Sequence, residues 1–215
     1  MDVYTTEEQQ VEQIKKWWKE NGTSVLAGVG LGLAAIFGWR AWVAHQASVG
    51  EQASVVFEQL MSSVQVGAKE AADRQAELLA ANYDSTPYAA FGALAQVRMQ
   101  VDAGDTDGAQ ARLRWVLEHT GEAGLKNVAR LRLARILLSE GDPDGAAEVL
   151  NGADPGAFAG EFAHLRGDIA AAREEFAEAR TAYQHALDNN VGNPELVQMK
   201  LDDLPPASEA PVSQS

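Results

Sequence analysis

The chain has 215 residues, a formal net charge of −14 and no cysteine. That length holds one globular domain beside a membrane anchor. The acidic balance excludes a surface that tracks nucleic-acid phosphates, and the missing thiols exclude a disulfide framework, a thiolate metal site and a cysteine nucleophile.

Residues 1–22 are polar, with a helical pattern from Thr6 to Glu20 that places Val11, Ile14 and Trp18 on one side. Thr6 suits an N-cap, and the order of acids first and lysines last suits the helix dipole. The segment has too little to bury alone, so it is predicted to be a cytoplasmic juxtamembrane helix.

Residues 23–44, TSVLAGVGLGLAAIFGWRAWVA, carry no charge before Arg40. About 20 apolar residues at about 1.5 Å each match a hydrocarbon core of about 30 Å, which predicts a single transmembrane helix in contact with the lipid bilayer. Trp17 and Trp18 precede it, and Trp39 and Trp42 close it. Indole rings settle at headgroup depth, so these four and Arg40 are the candidate interfacial anchors. Lys15, Lys16 and Lys19 lie before the span, and after Arg40 the next basic residue is Lys69. This asymmetry predicts a cytoplasmic N-terminus and a translocated C-terminal domain. A cleaved signal peptide would need a shorter core and small residues before a cut site, and Ala44, His45 and Gln46 do not supply them. Within the span Gly28 and Gly32 stand four apart, with Gly30, Ala34 and Gly38 repeating the interval. Small residues so spaced form a candidate helix-packing face.

Residues 45–204 are alanine-rich, with Pro87, Pro143 and Pro194 at predicted helix starts. Ala72, Ala109, Ala146 and Ala179 recur at an interval close to the roughly 34 residues of a tetratricopeptide repeat. Gly67, Gly104, Gly141 and, breaking the rule, Glu174 precede them at the predicted helix turns. Phe57, Leu94, Leu131 and His164 hold an equivalent earlier place, as do Val64, Val101, Leu138 and Ala171. Of these, Phe57, Leu94, Leu131 and the four alanines are the candidate repeat-packing positions. The predicted fold is all-α, a transmembrane helix followed by a tetratricopeptide-like α-α superhelix of about four helix pairs. Each pair leaves an apolar face that the next one covers. Residues 205–215, PPASEAPVSQS, lack a core and are predicted to be disordered.

No chemistry-bearing constellation emerges. Glu161, His164 and Asp168 share a helical face, but without a metal-binding motif they read as a solvated polar face. Asp105–Gly108 and Asp142–Gly145 open like calcium loops yet lack the later ligands, and they read as turns and N-caps. No phosphate loop, nucleophile elbow or dinucleotide fingerprint is present. The expectation is a protein with no enzymatic activity, no metal and no cofactor.

The segment VYTTEEQQVEQIKKWWKENG, the Gly-rich span with its GWRAW exit, the stretch LRGDIAAAREEFAEARTAYQHAL and the close QMKLDDL resemble the YfgM-type proteins of Gram-negative bacteria. The resemblance covers nearly the whole chain, except the tail after Leu204. It implies an ancillary subunit of the SecYEG translocon in the bacterial inner membrane, crossing once, with a periplasmic tetratricopeptide-like domain. It also implies partnership with a PpiD-like periplasmic chaperone and a role in handling exported proteins, which are candidate clients. It supplies no catalytic residues. Two alternatives stand beside it: a stand-alone holdase or peptide-binding module, and an envelope scaffold released by signal cleavage.

Overall fold

The computed structural model describes residues 7–205, so the capping role of Thr6 and the tail at 206–215 lie outside the described residues. Among the described residues the structure is all helix and turn, with no strand. The helices are α1 (Glu7–Gln65), α2 (Lys69–Asn82), α3 (Pro87–Asp102), α4 (Thr106–His119), α5 (Ala123–Ser139), α6 (Pro143–Leu150), α7 (Ala159–Ala172), α8 (Phe176–Asp188) and α9 (Pro194–Asp202), with a short 3₁₀ turn at Gly156–Phe158 before α7. The chain divides into two compact units, Met1–Glu51 and Gln52–Ser215.

The first unit is helical throughout its described part. The sequence separates a juxtamembrane helix, a span and a domain beginning at residue 45. The structure has one uninterrupted helix, with no break at 22–23 or 44–45, and the second unit begins at Gln52. The reason is local. The first proline of the chain is Pro87, and the glycines of α1 weaken a helix by about 1 kcal/mol each without interrupting it. An apolar surrounding also offers no partner to an opened peptide group, so continuation is favoured. This helix is long and apolar enough to cross a membrane.

The second unit is a stack of helix pairs. The end of α1 packs on α2 through Ala53 and Leu60 against Ala72, Ala76 and Leu79, then α3 pairs with α4, α5 with α6 and α7 with α8, and α9 packs on the last pair. Each first helix ends in the same left-handed turn. Gly67, Gly104 and Gly141 have φ of 71°, 79° and 83°. At each, two backbone N–H groups fold back to carbonyls of the last helical turn, as in Gly141 N to Leu138 O at 3.1 Å and Asp142 N to Leu137 O at 2.9 Å. Glu174 takes the same conformation at φ 62°, and the same pair of bonds forms there, from Glu174 N to Ala171 O and from Glu175 N to Ala170 O. The turn geometry therefore survives in the fourth unit although the glycine does not. Asp105 and Asp142 then cap the second helices, accepting from Gly108 N and Gly145 N.

Ala72, Ala109, Ala146 and Ala179 are fully buried. At those points a larger side chain has no room, and the helices approach closely. Leu94 and Leu131 are buried, whereas Phe57 and His164 are half-buried. Val101 is 43% exposed, so its equivalence to Val64, Leu138 and Ala171 fails at that unit. The core runs from Leu60 and Leu79 through Leu113, Leu133 and Leu150 to Phe162 and Leu165, then to Tyr183, Val197 and Leu201. Polar ties bridge neighbouring units: Gln96 to Asp73, Gln110 to Glu140, and Arg173 to Asp144.

Candidate functional site

Pro87 occupies the first turn of α3, where its missing N–H costs nothing, and it starts the helix so that Tyr88 and Phe91 lie on one side. Phe57 comes from the end of α1. The three rings meet, with centroids 5.7 Å apart for Phe57–Tyr88, 6.0 Å for Phe57–Phe91 and 6.4 Å for Tyr88–Phe91. Phe91 remains 40% exposed. Beside it lies a cavity of about 570 Å³ whose walls include Tyr88, Phe91, Leu125, Val128 and Phe158. A second, of about 520 Å³, lies along Phe57, Met61 and Val64. The outcome is an open, aromatic-walled groove over the first helices of three successive pairs. Sequence reasoning gave Phe57 a packing role and missed the groove. The signal was Tyr88 and Phe91, two aromatics three apart in the first turns after Pro87, in an otherwise alanine-rich stretch.

A polar face continues from it. Along α5, Leu125, Val128, Arg132 and Arg135 follow helical spacing, so the apolar wall turns into a basic one. Arg132 donates through Nη1 to the carbonyl of Leu94 on α3 at 3.3 Å. Partial burial, followed by the nearby charges of Arg135 and Arg98, holds the Arg132 guanidinium below its ordinary pKa. Arg98 stands on α3 in register with Phe91 and pairs with Asp102 at 3.0 Å.

Beyond Arg135 lies a cavity of about 560 Å³ whose lining includes Arg135, Ser139, His164, Asp168, Asn193 and Lys200. Its floor is an ionic knot. Lys200 Nζ donates to Asp168 Oδ1 at 2.7 Å and Oδ2 at 2.8 Å, and it lies 3.0 Å from His164 Nε2. An ammonium has only protons to offer, so His164 Nε2 accepts and the ring is neutral. Burial is the largest cause of a lowered His164 pKa, and Lys200 and Arg135 add to it against the pull of Asp168 and Glu161. Tyr183 donates its hydroxyl to Asp168 Oδ1 at 2.8 Å. Burial first, then the Asp168 carboxylate, raises the pKa of that phenol. Glu161 accepts from Gly192 N at 3.2 Å. The Glu161–His164–Asp168 face is thus not the solvated face that its spacing suggests. Its side chains clamp α9 and the preceding loop onto α7, and Lys200 and Tyr183 are the partners that sequence spacing missed. Among the described residues no group of three or more His, Cys, Asp or Glu is arranged to hold a metal.

In the first unit, Gly28, Gly30, Gly32 and Gly38 are exposed, with open space where a Cβ would stand, and Ala34 is exposed with them. Trp17, Trp18, Trp39, Trp42 and Arg40 are exposed too. Trp39 and Trp42 lie 5.2 Å apart, and Trp17 and Trp18 lie 6.4 Å apart.

An N-terminal helix long and apolar enough to cross a membrane and a domain of stacked helix pairs define a class, the helical-repeat proteins with such an N-terminal helix. The tetratricopeptide repeat-like domain family matches residues 15–206. The chain is 32% identical over 206 residues to the ancillary SecYEG translocon subunit of Escherichia coli K12, covering 95% of this chain and 99% of that protein. It is 31% identical to the protein of that name from Haemophilus influenzae, over 92% and 97% of the two chains, and 30% identical to the one from Neisseria gonorrhoeae, over 95% and 100%. No solved structure matches the chain significantly. The chain belongs to the family of ancillary SecYEG translocon subunits, the YfgM family.

Proposed function

We propose that this protein is a non-enzymatic ancillary subunit of the SecYEG translocon, anchored in the inner membrane by residues 23–44. Its N-terminus faces the cytoplasm and its repeat domain faces the periplasm, where it acts with a PpiD-like chaperone on exported proteins. The similarity of nearly the whole chain to relatives named ancillary SecYEG translocon subunits is the observation that carries this reading. The lysines before the span support the orientation. The small-residue stripe Gly28, Gly30, Gly32, Ala34 and Gly38 offers a helix-packing face toward a membrane partner, because dispersion between close backbones replaces the hydrophobic drive that lipid removes. The aromatic groove at Phe57, Tyr88 and Phe91 is the surface for the domain's partner.

In-cell photocrosslinking tests the reading from two positions. A crosslinker at Leu26 in the span is expected to yield adducts with translocon subunits, and one at Phe91 adducts with a periplasmic chaperone or an exported protein. Adducts with cytoplasmic proteins from Phe91, or none with the translocon from either position, refute it. The exposed groove also favours a second reading, a stand-alone holdase. That reading expects Phe91 adducts with exported proteins that persist when the translocon contact is lost.

A further inference from the structure

The groove is chemically lopsided. Phe57, Tyr88, Phe91, Leu125 and Val128 occupy one half, toward the beginnings of α3 and α5. Two turns further along the same helices stand Arg98, Arg132 and Arg135. Because α3 and α5 are the first helices of successive pairs, they run the same way and their basic ends coincide. The Arg132 reach to the α3 backbone, and its lowered pKa beside Arg98 and Arg135, place the three cations in one group. This is an unusual concentration in a chain with 31 acidic and 17 basic residues. Glu58 and Glu122 form part of the walls at its apolar half, while Glu161 and Asp168 line the cavity beside Arg135 and are already taken up, Glu161 by Gly192 N and Asp168 by Lys200 and Tyr183. At the basic half, Asp102 takes up Arg98.

We propose that this face binds an amphipathic segment of a partner polypeptide in one polarity, with its bulky apolar side chains in the Phe57–Tyr88–Phe91 groove and its carboxylates against Arg132 and Arg135. The inference rests on the reading of the groove as the partner surface and adds the chemistry of the partner. Charge complementarity selects the occupant. Glu58 and Glu122 disfavour an anionic lipid surface at the apolar half and a carboxylate placed there, whereas the arginines favour a carboxylate at the far half. The spacing follows from helix geometry. Phe91 to Arg98, and Val128 to Arg135, each span about 10 Å at about 1.5 Å per residue. An extended peptide covers that in about three residues at about 3.3 Å each. The fitting segment therefore carries its acids about three residues beyond its apolar anchors.

The test uses the full chain in detergent and a fluorescein-labelled peptide, GSFLSSEEGS, against its counterpart GSFLSSKKGS, by fluorescence anisotropy at about 50 mM salt. The acidic peptide is expected to bind at least fivefold tighter than the basic one. That preference is expected to shrink at about 0.5 M salt, where the screening length falls well below the width of the site. Arg135→Glu, an exposed change, is expected to remove most of the preference, and Arg132→Glu with Arg135→Glu to reverse it. Phe91→Ser is expected to weaken both peptides alike. Arg135→Glu alone keeps the test usable if the double variant loses its helical thermal transition. Equal binding of the two peptides, or a preference that ignores Arg135, overturns the inference, as does failure of both to bind. If Phe91 still crosslinks to a periplasmic protein in cells while the peptides are not distinguished, the groove reading stands and only its polarity is lost. If Phe91 crosslinks to nothing and the peptides do not bind, both fall.

Discussion

Glu174 stands in a backbone conformation that the other three units assign to glycine, and that makes the turn a quantitative test of the repeat reading. Its φ is 62°, against 71°, 79° and 83° at Gly67, Gly104 and Gly141. A residue with a Cβ in the left-handed region carries about 1–2 kcal/mol of strain. Glu174→Gly removes that strain but frees the unfolded chain by about 0.5–1 kcal/mol. The net expectation is a stabilisation of about 0.5–1 kcal/mol. For a unit of this size, about 2–4 °C of midpoint accompanies each kcal/mol, so the gain is about 1–4 °C. Thermal unfolding of the full chain in detergent, followed by circular dichroism, measures it. Glu174→Ala keeps the Cβ and the positive φ, so it is expected to show no such gain, which separates backbone strain from loss of the carboxylate. Gly141→Ala imposes the strain anew and is expected to lower the midpoint by a similar amount. A midpoint unchanged in Glu174→Gly, together with a neutral Gly141→Ala, would refute the idea that these four turns are one structural element.

The other expectations follow from burial, charge and the span. Leu131 is 4% exposed inside the α5 packing layer, so Leu131→Ala is expected to cost about 2–5 kcal/mol, read as a lowered midpoint in the same assay. His164 has a folded pKa below its ordinary 6.5, so the unfolded chain binds more protons in that window. Its contribution is fully present above about pH 6.5 and is lost as pH falls through the folded value. A urea midpoint that declines below pH 6.5 in the wild type and less so in His164→Gln is expected, and identical pH profiles would count against it. Gly28→Leu with Gly32→Leu is expected to leave the protein in the membrane fraction but to reduce recovery of translocon subunits on co-purification. Undiminished recovery would make the glycines a matter of composition.

What the sequence made legible was whatever repeats along one helix. The interval of Ala72, Ala109, Ala146 and Ala179 is a property of the linear chain, and all four are buried. The turn glycines were legible for the same reason, since a left-handed residue is a local demand. Glu174 was legible only as an exception, because the hydrogen bonds to Ala170 and Ala171 that hold it are set by the fold and not by its side chain. The knot around Asp168 was not legible. Asp168, Tyr183 and Lys200 sit on three different helices, and no periodicity relates them. The groove was half-legible: the aromatics were visible, but only the stacking of α1, α3 and α5 brings Phe57 to Tyr88 and Phe91. The continuity of α1 through residues 22–23 and 44–45 was not legible, because the change in polarity there marks where the surroundings would change and says nothing of where a helix ends. Polarity alone does not end a helix that has no proline.

The Asp168 knot answers a problem that any stacked array faces. Each helix pair exposes an apolar face, so the last one needs a cover that will not recruit another copy. Here α9 is that cover. Val197 and Leu201 go inward against Ala179, Tyr183 and Ala186, while Lys200 turns to the side and closes on Asp168. Asn193 accepts from Leu196 N to start the helix, and Arg180 donates to Pro205 O where the chain leaves it. Apolar burial supplies the adhesion, and the half-buried ion pair sets the register, because a slip of one residue along α9 would leave Asp168 without its cation. The QMKLDDL close, which carries part of the family resemblance, is thus intelligible as a cap. Its Leu201 fills the last apolar space, its Lys200 locks the position, and Asp202 and Asp203 remain exposed, giving the end of the array an acidic surface.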